Sequence, residues 1–163
     1  MKSTATDTGN TGAHWRDNHI GHWLRLALER FDGRVLEIIA HHPGVPLALS
    51  NLAARDQVSA AHIHITRHLP EAGTRLTDLA ARAGMTKQAM AHLVSQCEAW
   101  GMVQRAHHSS DARARHISFT AAGLAWLHAY RDAVAQAESE MRTAIGPEVT
   151  TVIALGLEAY SGR

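Results

Sequence analysis

The residues from Thr77 to Gly101 constrain the fold most, because two helical patterns lie there on either side of a tight turn. The segment "TDLAARAGMTKQAMAHLVSQCEAWG" predicts a short helix that Thr77 caps and Gly84 ends, followed by a longer helix from Met85 to Trp100. Gly101 then ends the second helix. Two helices of this length with a glycine-containing turn are typical of a helix-turn-helix motif.

The second of these helices has two unlike faces. At 100° per residue, its apolar side carries Ala89, Met90, Leu93, Val94 and Cys97. Its other side carries Lys87, Gln88, Ala91, His92 and Ser95. In a helix-turn-helix the N-terminal residues of the second helix meet the bases of the major groove. On that interpretation Lys87 could contact guanine or phosphate, Gln88 adenine and Thr86 phosphate. The alternative is a solvated polar face of an ordinary helical hairpin.

A β-hairpin is predicted directly after the helix pair. "MVQRAHH" and "RHISFT" have the residue types of short strands, and the polar stretch "HHSSDARA" between them is a turn. Arg113 and Arg115 fall near the tip and Arg105 on the incoming strand. Arginines there could enter a narrow minor groove, while Asp111 could fix the tip by pairing with one of them. The alternative is an ordinary polar hairpin, which the preceding helix-turn-helix disfavours.

The remaining segments are predicted to be helical. The first helix runs from His14 to about His41, weakened at Gly33 and ended by "HHPGVP". "LALSNLAARDQ" is ambiguous, Ser59 caps a helix over "VSAAHIHITRHL", and "PEAGTR" is a turn. Thr120 caps a helix to about Ile145, and "EVTTVIALGLEAY" is a last helix. We expect a disordered tail at 1–12, a helical dimerisation and linker region at 13–57, a winged lobe at 58–120 and C-terminal dimerisation helices at 121–163.

Composition excludes several classes of protein. The 163 residues have a formal net charge of +1 and one cysteine, which excludes a disulfide framework and fits a reducing cytoplasm. No apolar run is long enough to cross a bilayer, and the first residues lack the apolar core of a secretory signal. No catalytic motif is present, so we expect neither an enzyme nor a bound cofactor. A helical interaction module that does not bind DNA stays open as an alternative.

In these two motifs the chain resembles the multiple-antibiotic-resistance regulator (MarR) family of winged-helix transcription factors. "GTRLTDLAARAGMTKQAM" is similar to that family's helix-turn-helix, and "DARARHISFT" to its wing pattern of D-x-R followed by L-T, with Phe119 in place of the leucine. The match is strong from about Gly73 to Gly123. His92 and Trp100 depart from the usual residue types, which affects the expected sequence preference rather than the mode of docking.

The resemblance implies a mostly α fold, with a small β-hairpin wing on a winged helix-turn-helix lobe and N- and C-terminal dimerisation helices. It implies a homodimer on a pseudo-palindromic double-stranded operator, most often as a repressor. By the family pattern, the DNA contacts come from Thr86, Lys87, Gln88 and Ser95 in the helix and Arg113 in the wing, supported by Asp111. The long first helix and the apolar last helix independently offer more apolar surface than one winged lobe can cover.

Family members usually bind a small aromatic effector between the dimerisation helices and the lobe. Tryptophan with histidine or arginine suits an aromatic carboxylate, since it combines a flat apolar wall with a few hydrogen-bond donors. The candidate residues are Trp15, His19, His22 and Trp23 in the first helix, and His62, His64 and Arg67 in the helix that Ser59 caps. The alternative is that the tryptophans belong to a dimer core and the histidines are solvated.

Two other kinds of sensor are weaker interpretations. Zinc could bind His62, His64 and His68 with Glu29 or Asp32, but no cysteine or acidic cluster supports it, so we assign no metal site. A peroxide sensor needs an exposed thiolate of low pKa. Cys97 lies on the apolar side of its helix, so we predict that it belongs to the core.

Overall fold

The computed structural model describes residues 14–55, 57–107 and 115–162. A short 3-10 turn, His14–Arg16, precedes the α-helices. These are α1 (Ile20–Ala40), α2 (Leu47–Ala54), α3 (Ala60–His68), α4 (Leu76–Arg82), α5 (Lys87–Ala99), α6 (Ala121–Ile145) and α7 (Pro147–Ser161). The strands β1 (Thr74–Arg75), β2 (Val103–His107) and β3 (Arg115–Phe119) form an antiparallel sheet in the order β1-β3-β2. The predicted class, mostly α with a small β-hairpin, is confirmed.

The first helix begins later than the sequence pattern predicted. Instead of running from His14, the chain makes the 3-10 turn and enters α1 only at Ile20. His19 has an extended backbone, and its Nδ1 accepts a hydrogen bond from the backbone N–H of His22 at 3.2 Å. This side-chain cap sets the start of the helix. At Gly33 the helix continues without a break.

The segment before α4 contains the predicted turn, which the N–H of Gly73 closes by donating to the carbonyl of Pro70 at 2.8 Å, and then a two-residue strand that was not predicted. Thr74 pairs with Ile117 and Arg75 with His116, so the chain passes directly from β1 into α4 with Arg75 at the N-cap. Thr77 is therefore inside the helix, and the prediction that it caps α4 is wrong. The strand depends on Gly73, because its φ is +78° and a Cβ there would lie 2.6 Å from the carbonyl oxygen of Ile117.

The lobe is held together by the apolar face of α5 and by one tryptophan from α6. Met90, Leu93, Val94 and Cys97 are buried as predicted, but Ala89, which lies in the first turn of α5, is exposed. The Trp126 side chain is almost completely buried, and its Nε1 donates to Thr66 Oγ1 on α3 at 3.1 Å. This hydrogen bond satisfies the indole in the core.

Two ion pairs join α1 to other helices. The Asp32 carboxylate is buried, and it accepts a hydrogen bond from Arg67 on α3. Arg34 binds Glu140 on α6 through two hydrogen bonds of 2.7 and 2.8 Å. The bonds from Arg34, and then one from Gln136, lower the pKa of Glu140 to about 2. This carboxylate therefore stays ionised in the folded protein until the pH falls towards 2, and its contribution to stability, complete above the ordinary pKa of 4.5, is lost progressively between pH 4.5 and about 2.

The two ends of the chain expose a large apolar surface. In α7 only Thr150 is buried, while Val152, Leu155 and Tyr160 are 69%, 60% and 88% exposed. The first half of α1 likewise exposes Ile20 and Trp23. Among the described residues, no helix has the length and hydropathy needed to cross a membrane.

We predict that Cys97 does not react in the folded protein. Its side chain is fully buried, and burial raises the pKa of the thiol to about 12, so almost none of it is thiolate at neutral pH. Iodoacetamide followed by mass spectrometry should leave the native protein unmodified and add one label per chain after unfolding. His92→Cys, which places an exposed thiol on the same helix, is the matched control and should be labelled quickly. Equal labelling rates at the two positions in native protein would contradict the prediction.

Candidate nucleic-acid interface

A tight turn sets the direction of α5 relative to α4. Gly84 has a φ of +63°, and the backbone N–H of Met85 donates to the carbonyl of Ala80 at 2.9 Å. This left-handed residue ends α4 and reverses the chain within four residues. Thr86 then begins α5 as its N-cap, with Oγ1 accepting from the N–H of Ala89 at 3.2 Å. The predicted helix-turn-helix and the cap at Thr86 are confirmed.

The first two turns of α5 present a polar face to solvent. Lys87, Gln88 and His92 are exposed there, and Ala91 between them is half-buried. The N–H groups of a helix's first turn have no partner within the helix and carry a partial positive charge. Because the Thr86 hydroxyl uses its oxygen in the cap, its hydrogen is left to donate to an anion. The end of α5 therefore combines a lysine, an amide, a hydroxyl and free backbone donors.

Ser95 and Arg105 contact each other in the free protein. Ser95 Oγ donates to the carbonyl of Ala91 at 2.9 Å and accepts from Arg105 Nη2 at 3.0 Å. Arg105 Nη1 also lies 3.0 Å from Glu98 Oε2. The Arg105 guanidinium is thus directed towards α5, and the hydroxyl hydrogen of Ser95 is already used. Glu98 was missed by sequence reasoning. The available signal was an acidic residue three positions after Ser95, with an arginine on the next strand.

The wing follows α5 with little freedom at its base. Met102 N–H donates to the carbonyl of Cys97, and Thr120 Oγ1 donates to the carbonyl of Gly101 at 2.6 Å. The predicted strands are confirmed, with Val103 opposite Phe119 at the base and His107 opposite Arg115 at the far end. Asp111 and Arg113 lie outside the described residues.

The predicted effector residues of the first helix form a row of rings. Ring centroids are 6.5 Å apart between Trp15 and His19, 6.1 Å between His19 and His22, and 5.0 Å between His22 and Trp23. Arg16 lies over the Trp15 ring at 5.8 Å. The two tryptophans are more than half exposed. The row therefore offers flat apolar faces and ring nitrogens to solvent.

The effector residues predicted on α3 are largely engaged inside the protein. His62 is buried, and its ring bonds Ser59 at the N-cap, approaches Gln96 Oε1 at 3.0 Å and packs on Trp100. This packing accounts for Trp100, which the sequence pattern left unassigned. The ring of His64 stacks on His68 at 5.9 Å.

Arg67 joins three helices rather than facing an open site. Its Nε donates to Tyr130 Oη on α6 at 2.9 Å, and its Nη2 donates to Asp32 on α1. Arg67 is therefore engaged by neighbouring helices, whereas the tryptophans of the row that leads into α1 are more than half exposed. Within the part of the chain that the structure describes, no three histidine, cysteine or acidic side chains are grouped so that they could hold a metal ion.

A shallow cleft of about 360 Å³ lies away from both groups of residues. It is formed by the C-terminal end of α1 and by Gln136 of α6, with His41, His42 and Pro43 at its rim. Arg34 in its wall is already held by Glu140 and Glu37. The cleft therefore offers a ligand no uncommitted arginine, and it contains none of the predicted effector residues.

Comparison with known proteins identifies the fold. No family model and no curated protein match the chain. Among solved structures, the transcriptional repressor CouR bound to a 23-mer DNA duplex is 21% identical, with 93% of this chain and 96% of that chain covered and a TM-score of 0.64. BpsR of Bordetella bronchiseptica, described with the regulation of its DNA binding by 6-hydroxynicotinic acid, is 16% identical, with coverage of 90% and 96% and a TM-score of 0.63.

A MarR-family transcriptional regulator from Rhodococcus sp. is also similar, at 17% identity, 88% and 96% coverage and a TM-score of 0.56. Each match extends over the outer helices as well as the helix-turn-helix, because it covers nearly the whole of both chains. The protein has the winged-helix fold of MarR-type transcriptional regulators.

Proposed function

We propose that the protein is a sequence-specific DNA-binding transcriptional regulator. It acts as a homodimer and represses transcription until a small aromatic carboxylate releases it from its operator. The observation that carries the proposal of DNA binding is the exposed first turn of α5. There Thr86, Lys87 and Gln88 surround unpaired backbone donors at the end of a helix that the lobe holds firmly from its other face.

Such a helix end suits the major groove. Phosphates favour a helix N-terminus, and lysine adds charge that does not depend on sequence. Glutamine can bond adenine through two atoms, which reads sequence. The structurally similar CouR is a transcriptional repressor bound to DNA, BpsR is described with the regulation of its DNA binding, and the Rhodococcus protein is described as a transcriptional regulator, which supports this function over catalysis.

Replacing Lys87 or Gln88 by alanine should change DNA binding in two different ways. Lys87→Ala should weaken binding to every duplex and reduce the salt slope by about 0.9 for each phosphate that the lysine neutralises. Gln88→Ala should instead lower the preference for one or two base pairs by about 1–3 kcal/mol. Both effects can be measured by fluorescence anisotropy on a duplex enriched from random sequences and on its single-base variants.

Arg131→Ala is the matched control for loss of a positive charge, because Arg131 is exposed on α6. It should leave affinity and salt slope near those of the starting protein. If wild-type protein enriches no sequence, or if the Lys87 and Gln88 variants behave alike on all duplexes, the proposed reading of DNA by α5 is wrong.

The dimer is supported by the apolar surface of α7 and the first half of α1. Single exposed apolar residues are ordinary, but a contiguous surface of this kind marks an interface. Val149, Val152, Leu155 and Tyr160 recur along α7 while the helix packs on α6 of its own chain. A second copy related by a two-fold axis would cover this surface and present two α5 helices to successive major grooves.

Val152→Glu should convert the dimer to monomer, because each interface would bury two unpaired carboxylates. Light scattering coupled to size exclusion at micromolar concentration measures the mass. Leu47→Glu is the control, since Leu47 on α2 is 75% exposed and belongs to neither end of the chain. A monomeric wild-type protein, or a Val152→Glu variant that stays dimeric, would contradict the proposed interface.

The proposed effector site is the row of rings at the start of α1. Stacked tryptophan and histidine rings with Arg16 beside them can bind an aromatic carboxylate through its ring face and its charge. BpsR, with a similar fold, has its DNA binding regulated by an aromatic acid. A metal- or redox-responsive regulator is the alternative, and the buried Cys97 and the absence of a metal-ligand group among the described residues disfavour it.

Trp15→Ala should weaken release from DNA by benzoic or 6-hydroxynicotinic acid while leaving DNA affinity unchanged. The measurements are the acid-induced rise in melting temperature and the acid concentration that halves DNA binding. Leu47→Ala is the control for loss of an exposed apolar side chain. If Trp15→Ala dissociates the dimer, Trp15 belongs to the dimer core. If neither acid shifts melting or DNA binding in wild-type protein, the aromatic-acid effector is wrong.

A further inference from the structure

The contacts of Arg105 assign it a task other than binding DNA. Its two terminal nitrogens reach Ser95 and Glu98, which are one turn apart on α5, at 3.0 Å each. The side chain of Arg105 is only 23% exposed. A guanidinium with two partners in separate directions is held in orientation as well as in position. We call this set of three side chains the wing latch.

The wing latch lies at the point where the hairpin leaves the core. Side chains two residues apart on a strand share a face, so Arg105 lies on the same face of β2 as the buried Val103. Val103 packs in the core, and Arg105 is the next position outward on that face. On this face of β2, the apolar contact of Val103 with the core is thus followed directly by the polar contacts of Arg105 with the last turns of α5.

Charge also separates Arg105 from the DNA-binding residues. Glu98 compensates its positive charge at close range, so the pair contributes little to the attraction of phosphates. Lys87 and Gln88 are exposed at the opposite end of α5. In the proposed function α5 is the recognition helix, the one that enters the major groove. For α5 and the wing to meet adjacent grooves together, the angle between α5 and β2 must be fixed.

We propose that Arg105 is a positioning residue, which locks the wing to the recognition helix through Ser95 and Glu98 and so sets the angle at which the two elements meet DNA. This inference rests on the proposed DNA-binding function. It predicts that removing the acidic partner weakens DNA binding, although removing a negative charge from a DNA-binding lobe should otherwise strengthen it.

Glu98→Gln is the decisive variant. If the wing latch positions the wing, affinity for the enriched duplex should fall by about fivefold per lobe, the range of a partly exposed ion pair, with an unchanged salt slope. If Arg105 instead binds phosphate, Glu98→Gln should bind DNA as well as or better than wild type, and Arg105→Gln should reduce the salt slope by about 0.9 for each phosphate it neutralised. That second pattern would overturn the proposal.

A matched control and an exchanged pair complete the test. Glu138→Gln removes the same charge and an ion pair to Arg142 that stays within α6, so it should leave affinity unchanged. Exchanging the pair, with Glu98→Arg and Arg105→Glu together, should recover most of the affinity that Glu98→Gln loses. Direct phosphate binding predicts instead that a glutamate at position 105 weakens DNA affinity further.

A readout without DNA separates this proposal from the proposed function. In the free protein, amide hydrogen exchange of β2 and β3 should be several-fold faster in Glu98→Gln than in wild type, while α1 and α6 are unaffected. Unchanged exchange in the strands overturns the wing latch. Faster exchange in a protein that enriches no DNA sequence leaves the wing latch in place and overturns the proposed function alone.

Discussion

The buried carboxylate of Asp32 is the constraint on which the arrangement of the helices depends. A charge that is taken out of water must be paired and hydrogen-bonded, and removing its partner costs several kcal/mol. The partner is Arg67 on α3, which in turn bonds Tyr130 on α6. One polar group thus ties the first long helix to the lobe and to the second long helix. Arg34 and Glu140 repeat the link between α1 and α6 nearer the C-terminal end of α1.

Burial of one face likewise explains why α5 can present its polar face so firmly. Met90, Val94 and Cys97 are completely buried, and the core that receives them is completed by Trp126 with its indole hydrogen bonded to Thr66. Core packing at native density leaves a helix little freedom to rotate. The opposite face is therefore fixed in direction although the side chains of its first turns point into solvent.

Local rules predicted most of the elements, and long-range pairing accounts for what they missed. The caps at Ser59, Thr86 and Thr120 were readable because a cap depends on residues three positions apart. The cap at Thr77 failed because β1 exists only through pairing with β3, which lies more than forty residues away. No local pattern in "PEAGTR" carries that information, and the two-residue strand is too short to show alternation.

The same distinction between local patterns and long-range contacts applies to the candidate site residues. The exposed set at the start of α5 follows from helical periodicity, so it could be predicted. The partners of Arg67 and Arg105 could not be predicted from sequence, because a long side chain can reach several residues that only the fold brings close to it. Arg67 was expected to face a ligand and Arg105 to face DNA, yet both bond acidic residues of their own chain. An arginine in a single sequence is therefore weak evidence for a binding site, because the acidic residues that can pair with it become known only with the fold.

The Asp32–Arg67 pair also restricts how the first turns of α1 can move relative to the winged lobe. Trp23, the last ring of the row, and Asp32 belong to one continuous helix, in which Asp32 lies nine residues further on, at about 13.5 Å along the axis. A helix of this length moves nearly as a rod, so a shift of its first turns must carry Asp32 with it. Either Arg67 follows, which moves α3 and the lobe, or a buried charge loses its partner. Because the second outcome is costly, the Asp32–Arg67 pair couples the position of α1 to that of the lobe that holds α5.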